Sequence, residues 1–300
     1  MLSELSLQGL RDRQLLLRSL PAYALLEDGT LSLLAEHSRL RPVREGEVLL
    51  QLQEPIHHVY NVLEGSVQWR RKNREPRVAG PQEVVGWLTL MARDPDGMDA
   101  IALRDSLVLE LPAEMLEHVL EEDFAIVRNM MRMGATQLLK RRGNLPVAPL
   151  HAPGLGDPSP EHSQRRTMVE RVIDMRKVPM FSRCNVEALI ALTRRSRDVT
   201  LAPGDVLWRV GERSTFWLLI EEGSVRCTNA AGESVLVQPH FVLGVMDAIG
   251  QQLRTYEARA EETSFGNQID LEAFLAVLET HFDLARDFVS MLARAVLDES

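Results

Sequence analysis

The sequence predicts an α+β, mainly β architecture of two tandem units, each a run of short strands flanked by helices before and after. Three observations predict it. A single offset of 158 residues carries Pro21 onto Pro179, Gly46 onto Gly204, Gly65 onto Gly223 and Gly86 onto Gly244, and a register that keeps every such glycine aligned marks a tandem repeat. Within each half the apolar period changes from helical spacing to short β-rich runs and back again. Between the halves, residues 143–163 hold Gly143, Pro146, Pro149, Pro153, Gly154, Gly156, Pro158 and Pro160, which is linker composition. Domains are therefore expected at 1–142 and 164–300, joined by a linker at 143–163.

The elements follow in order. Residues 1–20, with Leu5, Leu10, Leu16, Leu17 and Leu20, read as a helical lead-in that Pro21 stops, and residues 27–39 as a second helix capped by Asp28 or Thr30. Val43, Val48, Leu49, Leu50 and Leu52 are strand-like and broken at Glu45-Gly46. His58–Leu63 meets Ser66–Trp69 across Glu64-Gly65, a hairpin signal because glycine supplies the positive φ of a tight turn. Leu107, Leu109 and Leu111 alternate as in a strand with one buried face, and Pro112 opens a helix where its missing N–H costs nothing. Phe124, Val127, Met131, Ala135 and Leu138 recur at spacings of 3 and 4, a helical stripe. The offset then repeats the series: Gly46-Glu47-Val48-Leu49 becomes Gly204-Asp205-Val206-Leu207, Glu64-Gly65-Ser66-Val67 becomes Glu222-Gly223-Ser224-Val225, and Val119-Leu120-Glu121 becomes Val277-Leu278-Glu279.

Bulk properties narrow the function. A 300-residue chain that is 45% hydrophobic can bury two cores. A net charge of −9 argues against nucleic acid as the main partner, since phosphate binding needs clustered Lys and Arg. The two cysteines, Cys184 and Cys227, leave room for one disulfide but no framework and no metal-ligand spacing, which suits a reducing, cytoplasmic setting. Neither a signal peptide nor a membrane span is expected.

The order of these features resembles the cyclic nucleotide-binding domains. The resemblance rests on Gly-Glu-Val or Gly-Asp-Val after the first helices, on Val-Leu-Glu-Gly-Ser-Val or Ile-Glu-Glu-Gly-Ser-Val, and on the cassettes at Gly86 and Gly244 that lead into a last strand and helices. It covers nearly all of both halves. It implies an eight-stranded jelly-roll β-barrel in each, and an arrangement similar to regulatory subunits of the cyclic-AMP-dependent protein kinase and to catabolite-activator-like sensor domains. In that family a Glu after the cassette Gly accepts from the ribose hydroxyl, and an Arg ten residues after the Gly holds the cyclic phosphate by a charge-assisted contact.

Neither cassette keeps both ligands. In the first, Trp87 stands in the Glu position, where it would fill the ribose space, and Asp96 stands in the Arg position, where a carboxylate repels phosphate. In the second, Val245 replaces the Glu, Arg254 keeps the phosphate register, and Thr255, Tyr256 and Glu257 follow. The expected state of Arg254 is a surface-loop arginine paired with Glu257 or Glu261; the alternative is an anion site formed by Gly244, Val245, Arg254, Thr255 and Tyr256.

Other motifs are weaker. His37, His57 and His58 lack a third spaced ligand, and Asp94, Asp96 and Asp99 lack the terminal Glu of a calcium loop, so no metal is expected. Arg70-Arg71-Lys72 reads as a solvated edge. There is no P-loop and no Gly-x-Ser-x-Gly, so no enzyme is expected, and only about two residues follow Leu297-Asp298, so no DNA reader is expected either. The last helix carries Phe282, Ala285, Val289, Leu292 and Val296 and beside them Leu284, Phe288, Met291 and Ala295, enough apolar surface to predict contact with the other repeat or a homodimer. The sequence thus reads as a bacterial, non-enzymatic regulatory or scaffold protein with protein partners and no cofactor; the rival is a sensor that binds a cyclic nucleotide or other anion through Arg254.

Overall fold

The computed structural model describes residues 9–21, 23–24, 26–141, 145–146, 167–182, 184–250 and 253–298. The start of the lead-in, with Leu5, and all of the 143–163 linker except Leu145 and Pro146 lie outside the described residues. The chain divides into two compact units between Ile126 and Val127.

In the first unit α1 (Leu10–Ser19) and α2 (Asp28–His37) precede the strands β1 (Arg39–Val43), β2 (Val48–Leu52), β3 (His58–Glu64), β4 (Val67–Arg70), β5 (Arg77–Ala79) and β6 (Val84–Val85). The short α3 (Trp87–Ala92) is followed by β7 (Gly97–Ala102), β8 (Ser106–Pro112), α4 (Ala113–Glu122) and the start of α5 (Phe124–Arg141). The strands form two antiparallel four-stranded sheets, in the orders β1-β8-β3-β6 and β2-β7-β4-β5. Tyr60, Val62, Val85 and Val108 from one sheet pack with Leu50, Val67, Met98, Ala100 and Ala102 from the other, which is the jelly-roll core. The outer face of the first sheet is buried too: Val59, Leu109 and Leu111 pack against Leu17, Leu31, Leu34 and Leu116 of the helices. Strand β8 therefore buries both faces rather than one, Val108 toward the barrel and Leu109 and Leu111 toward the helices, and each fully buried side chain of this size contributes about 1.5–3 kcal/mol.

The Glu64-Gly65 turn does not close a hairpin. β3 pairs with β6 and β8, whereas β4 pairs with β5 and β7, so the turn carries the chain from one sheet to the other. Glycine is needed there because φ is +91° and because a Cβ would overlap Ser106 Oγ and lie 2.7 Å from the Ser106 Cα. The Ser66 N–H donates to Ser106 Oγ at 3.1 Å, which pins the corner to β8.

The second unit repeats this order. α6 (Met168–Lys177) is capped by Thr167, whose Oγ1 accepts from the Glu170 N–H while the Glu170 carboxylate accepts from the Thr167 N–H, a capping box. After α7 (Val186–Arg195) come β9 (Arg197–Leu201), β10 (Val206–Trp208), β11 (Phe216–Glu222), β12 (Val225–Asn229), β13 (Ser234–Val237) and β14 (Val242–Leu243). α8 (Val245–Ile249), β15 (Tyr256–Ala260), β16 (Ser264–Asp270), α9 (Leu271–Thr280) and α10 (Phe282–Asp298) complete it. The sheets are β9-β16-β11-β14 and β10-β15-β12-β13, the same topology as before. α6 starts 158 residues after α1, so the repeat extends back past Pro21, where residue identity no longer reveals it.

From Val127 onward α5 belongs to this second unit. Gly134 faces Leu292 on α10, Arg141 Nη1 donates to the Val296 carbonyl at 3.4 Å, and Arg128 pairs with Glu272 on α9 at 3.5 Å. Of the two stripes, Leu284, Ala285, Phe288, Val289, Leu292, Ala295 and Val296 are buried, whereas Phe282 and Met291 are half-buried. Leu145 packs against the second barrel's core. Cys184 and Cys227 are both free and buried, so the one disulfide the sequence left open is not formed.

Candidate functional site

The second cassette begins where β14 ends. Gly244 takes φ +75° and caps α8, all five residues of which, including Val245 and Asp247, are buried. Arg254 precedes β15 and is 1% exposed. Its Nη1 donates to the Gly244 carbonyl at 3.2 Å and its Nη2 to the Phe216 carbonyl at 2.6 Å. The guanidinium carbon lies 3.8 Å from the Trp208 ring centroid and 4.8 Å from that of Phe216. Such cation–π contacts reach about 2 kcal/mol when desolvated.

The expected surface ion pair is therefore absent. Glu257 pairs with Arg259 at 2.9 Å and Glu261 bonds Arg226 at 2.5 Å. Both acids sit on or just beyond β15, facing the strand's outer side, whereas Arg254 turns inward, where backbone carbonyls and ring faces receive it. Burial lowers the Arg254 pKa from its ordinary value.

Tyr256 and Thr255 serve the same cluster. The Gly244 N–H donates to the Tyr256 hydroxyl at 2.9 Å, and the Thr255 hydroxyl donates to Asp247 Oδ1 at 3.0 Å. Burial pushes the Asp247 carboxyl up to about 6, against the opposing pull of the Arg254 charge and the Thr255 hydrogen bond. All five residues expected at an anion site thus come together, but the cation among them is already held.

The first cassette differs in kind. Gly86 takes φ +94° and caps α3, and a Cβ there would meet Leu50, Ile56 and the His58 carbonyl. Trp87 does not fill the barrel; it is half-buried against the helical core with Leu17, Leu31 and Leu116, because the first helical residue after Gly86 points away from the sheets' interior. Asp96 lies on the rim, paired with Lys72 at 3.0 Å. Arg71 grips Asp94 through Nε and Nη2 at 3.1 and 2.8 Å, and Arg70 pairs with Asp99 at 3.0 Å. The basic run and the acidic loop, read apart in the sequence, are one ladder of three ion pairs.

Sequence reasoning missed Trp208, Phe216 and Asp247. The repeat offset held a signal for the first two: the second unit has Trp and Phe where the first has Leu50 and His58. Among the described residues no group of three or more His, Cys, Asp or Glu is placed to hold a metal ion, and no helix is long and apolar enough to cross a membrane.

Comparison with known proteins yields a family model, the cyclic nucleotide-binding domain, matching at residues 40–123 and 198–281. The curated acetyltransferase Pat of Mycolicibacterium smegmatis is 30% identical over 112 residues, which are 36% of this chain and 34% of the relative. The chain thus spans about a third of the length of the curated relative it matches. Among solved structures, the regulatory domain of Toxoplasma gondii PKA with cAMP is 14% identical at a TM-score of 0.36, covering 94% of this chain and 95% of that one. The regulatory subunit of a cAMP-independent protein kinase A from Trypanosoma brucei is 13% identical at a TM-score of 0.35, covering 91% and 86%. The N-terminal domain of a transcriptional regulator from Streptomyces coelicolor A3(2) is 22% identical at 0.38, covering 41% of this chain and 92% of that one.

Proposed function

The chain belongs to the cyclic nucleotide-binding domain family, whose model matches it twice, and from that premise we propose that it is a non-enzymatic regulatory or scaffold protein whose two domains no longer bind cyclic AMP or cyclic GMP in the family's usual way. The observation that carries this reading is the state of Arg254. Its guanidinium is bonded to two backbone carbonyls and stacked on Trp208, so a phosphate must break those contacts before it can use the charge. The first cassette adds to it with Asp96 in the Arg register, already bound to Lys72. The role assigned is carried by protein contacts in a bacterial cytoplasm. Most of the apolar residues of α10 are buried, while Phe282 and Met291 are half-buried and are the part of it left to meet a protein partner or a second copy.

Calorimetric titration of the full chain with cyclic AMP and cyclic GMP tests this, with no saturable heat expected. Micromolar binding that Arg254→Ala abolishes would overturn it and establish the second reading, a sensor that takes an anion through Arg254. What favours that second reading is the buried Arg254 Nε, which has no hydrogen-bond partner and is a donor in reserve.

A further inference from the structure

The surroundings of Arg254 are those of a receptor for a cation. Two backbone carbonyls, of Gly244 and Phe216, point at its two terminal nitrogens. Two ring faces, of Trp208 and Phe216, flank it, and those rings meet edge to face with centroids 5.6 Å apart. The Tyr256 ring lies beside Trp208, with centroids 5.9 Å apart. Carbonyl oxygens and the faces of aromatic rings all present negative potential, and none of them is a partner for phosphate.

We propose that this box is a guanidinium-selective binding site, formed by the Gly244 and Phe216 carbonyls with the Trp208 and Phe216 rings, and that Arg254 is its occupant supplied in cis. The selectivity follows from shape. A planar guanidinium lies over Trp208 while two separate in-plane nitrogens each reach a carbonyl, whereas an ammonium must serve both carbonyls and the ring from a single nitrogen. Glycine at 244 is part of the receptor, because a Cβ there would overlap Arg254 Nη1 and lie 3.1 Å from Trp208 Cη2. The site goes beyond the regulatory role proposed above. It holds the chain entering β15 onto the barrel whether or not an anion can later draw Arg254 away. The first unit has no such receptor, having Leu50 and His58 in place of the two aromatic residues.

Chemical rescue tests it. In the full chain, Arg254→Ala empties the box and lowers the melting temperature by several degrees. Methylguanidinium at non-denaturing concentration restores it saturably in the variant, does not raise the melting temperature of the parent, and outperforms methylammonium at equal ionic strength. Equal recovery with methylammonium, or no saturable recovery, overturns the proposal. If the variant does not fold, the parent decides: proton NMR is expected to show one arginine with ring-shifted, slowly exchanging guanidinium protons, lost in Arg254→Lys. A parent in which every arginine side chain exchanges freely overturns it as well. Neither readout uses a nucleotide, so its failure is separable from that of the calorimetric test.

Discussion

Gly244 and Arg254 occupy space that excludes any side chain at position 244. The glycine sits at φ +75° with the arginine's Nη1 where a Cβ would be. Gly244→Ala is expected to cost about 1–2 kcal/mol for the left-handed backbone and about 1–3 kcal/mol more for the displaced guanidinium. Gly204 supplies the control, since its φ is +89° but its Cβ position faces open space, so Gly204→Ala should cost only the backbone part. Urea unfolding of both variants measures the difference.

The sheet-crossing corners give a second prediction. Ser264 Oγ accepts from the Ser224 N–H at 3.1 Å, as Ser106 Oγ does from Ser66 at the same distance. Ser264→Ala leaves that buried N–H without its acceptor and is expected to cost about 1–3 kcal/mol. Ser106→Ala should cost less, because Ser66 is half-buried and water can reach it. Thermal melts of the two variants rank them.

Asp247 makes stability depend on pH. Its folded pKa of about 6 lies above the 3.8 of the free carboxyl, so the folded state binds the proton more tightly. The contribution is fully present below about pH 4 and is lost as pH rises through about 6. The unfolding free energy of the parent relative to Asp247→Asn should therefore fall across that window, by on the order of 2–3 kcal/mol at 1.36 kcal/mol per pKa unit. Urea titrations of both proteins at stepped pH measure it; a flat difference would refute the assignment.

The three rungs of the Arg70-Arg71-Lys72 ladder are not equal. Arg71 and Asp94 are each 14% exposed and doubly bonded, whereas Lys72 and Asp96 are 49% and 45% exposed. Asp94→Asn is expected to cost about 1–3 kcal/mol and Asp96→Asn less than about 1 kcal/mol. Raising the salt to about 1 M should erase the second effect and leave most of the first, since screening acts on exposed pairs. Melting temperatures at two salt concentrations distinguish them.

The sequence made the repeat and its elements legible because glycines at positive φ leave a mark that survives divergence: Gly65 and Gly223, Gly86 and Gly244 all hold the same conformation in both units. It did not make the strand partners legible. Glu64-Gly65 specifies a reversal of the chain, but the next strand finds its partners in β5 and β7, up to some thirty residues further on. The site divided in the same manner. Register alone points to Gly244, Arg254, Thr255 and Tyr256, but not to the direction of the Arg254 side chain, because its partners are backbone carbonyls and carry no residue signature. The aromatic half of the site, Trp208 and Phe216, lies on strands far from the cassette in sequence.

In each unit the first strand pairs with the last, β1 with β8 and β9 with β16. A chain emerging from the ribosome therefore cannot close its first barrel until Pro112 has been made, and every residue before that waits with an open sheet edge. Because both units share one topology, β16 is also a structurally credible mate for β1. Synthesis completes β8 long before β16 exists, so refolding of the full-length denatured chain is expected to yield more mispaired, aggregating species than synthesis does.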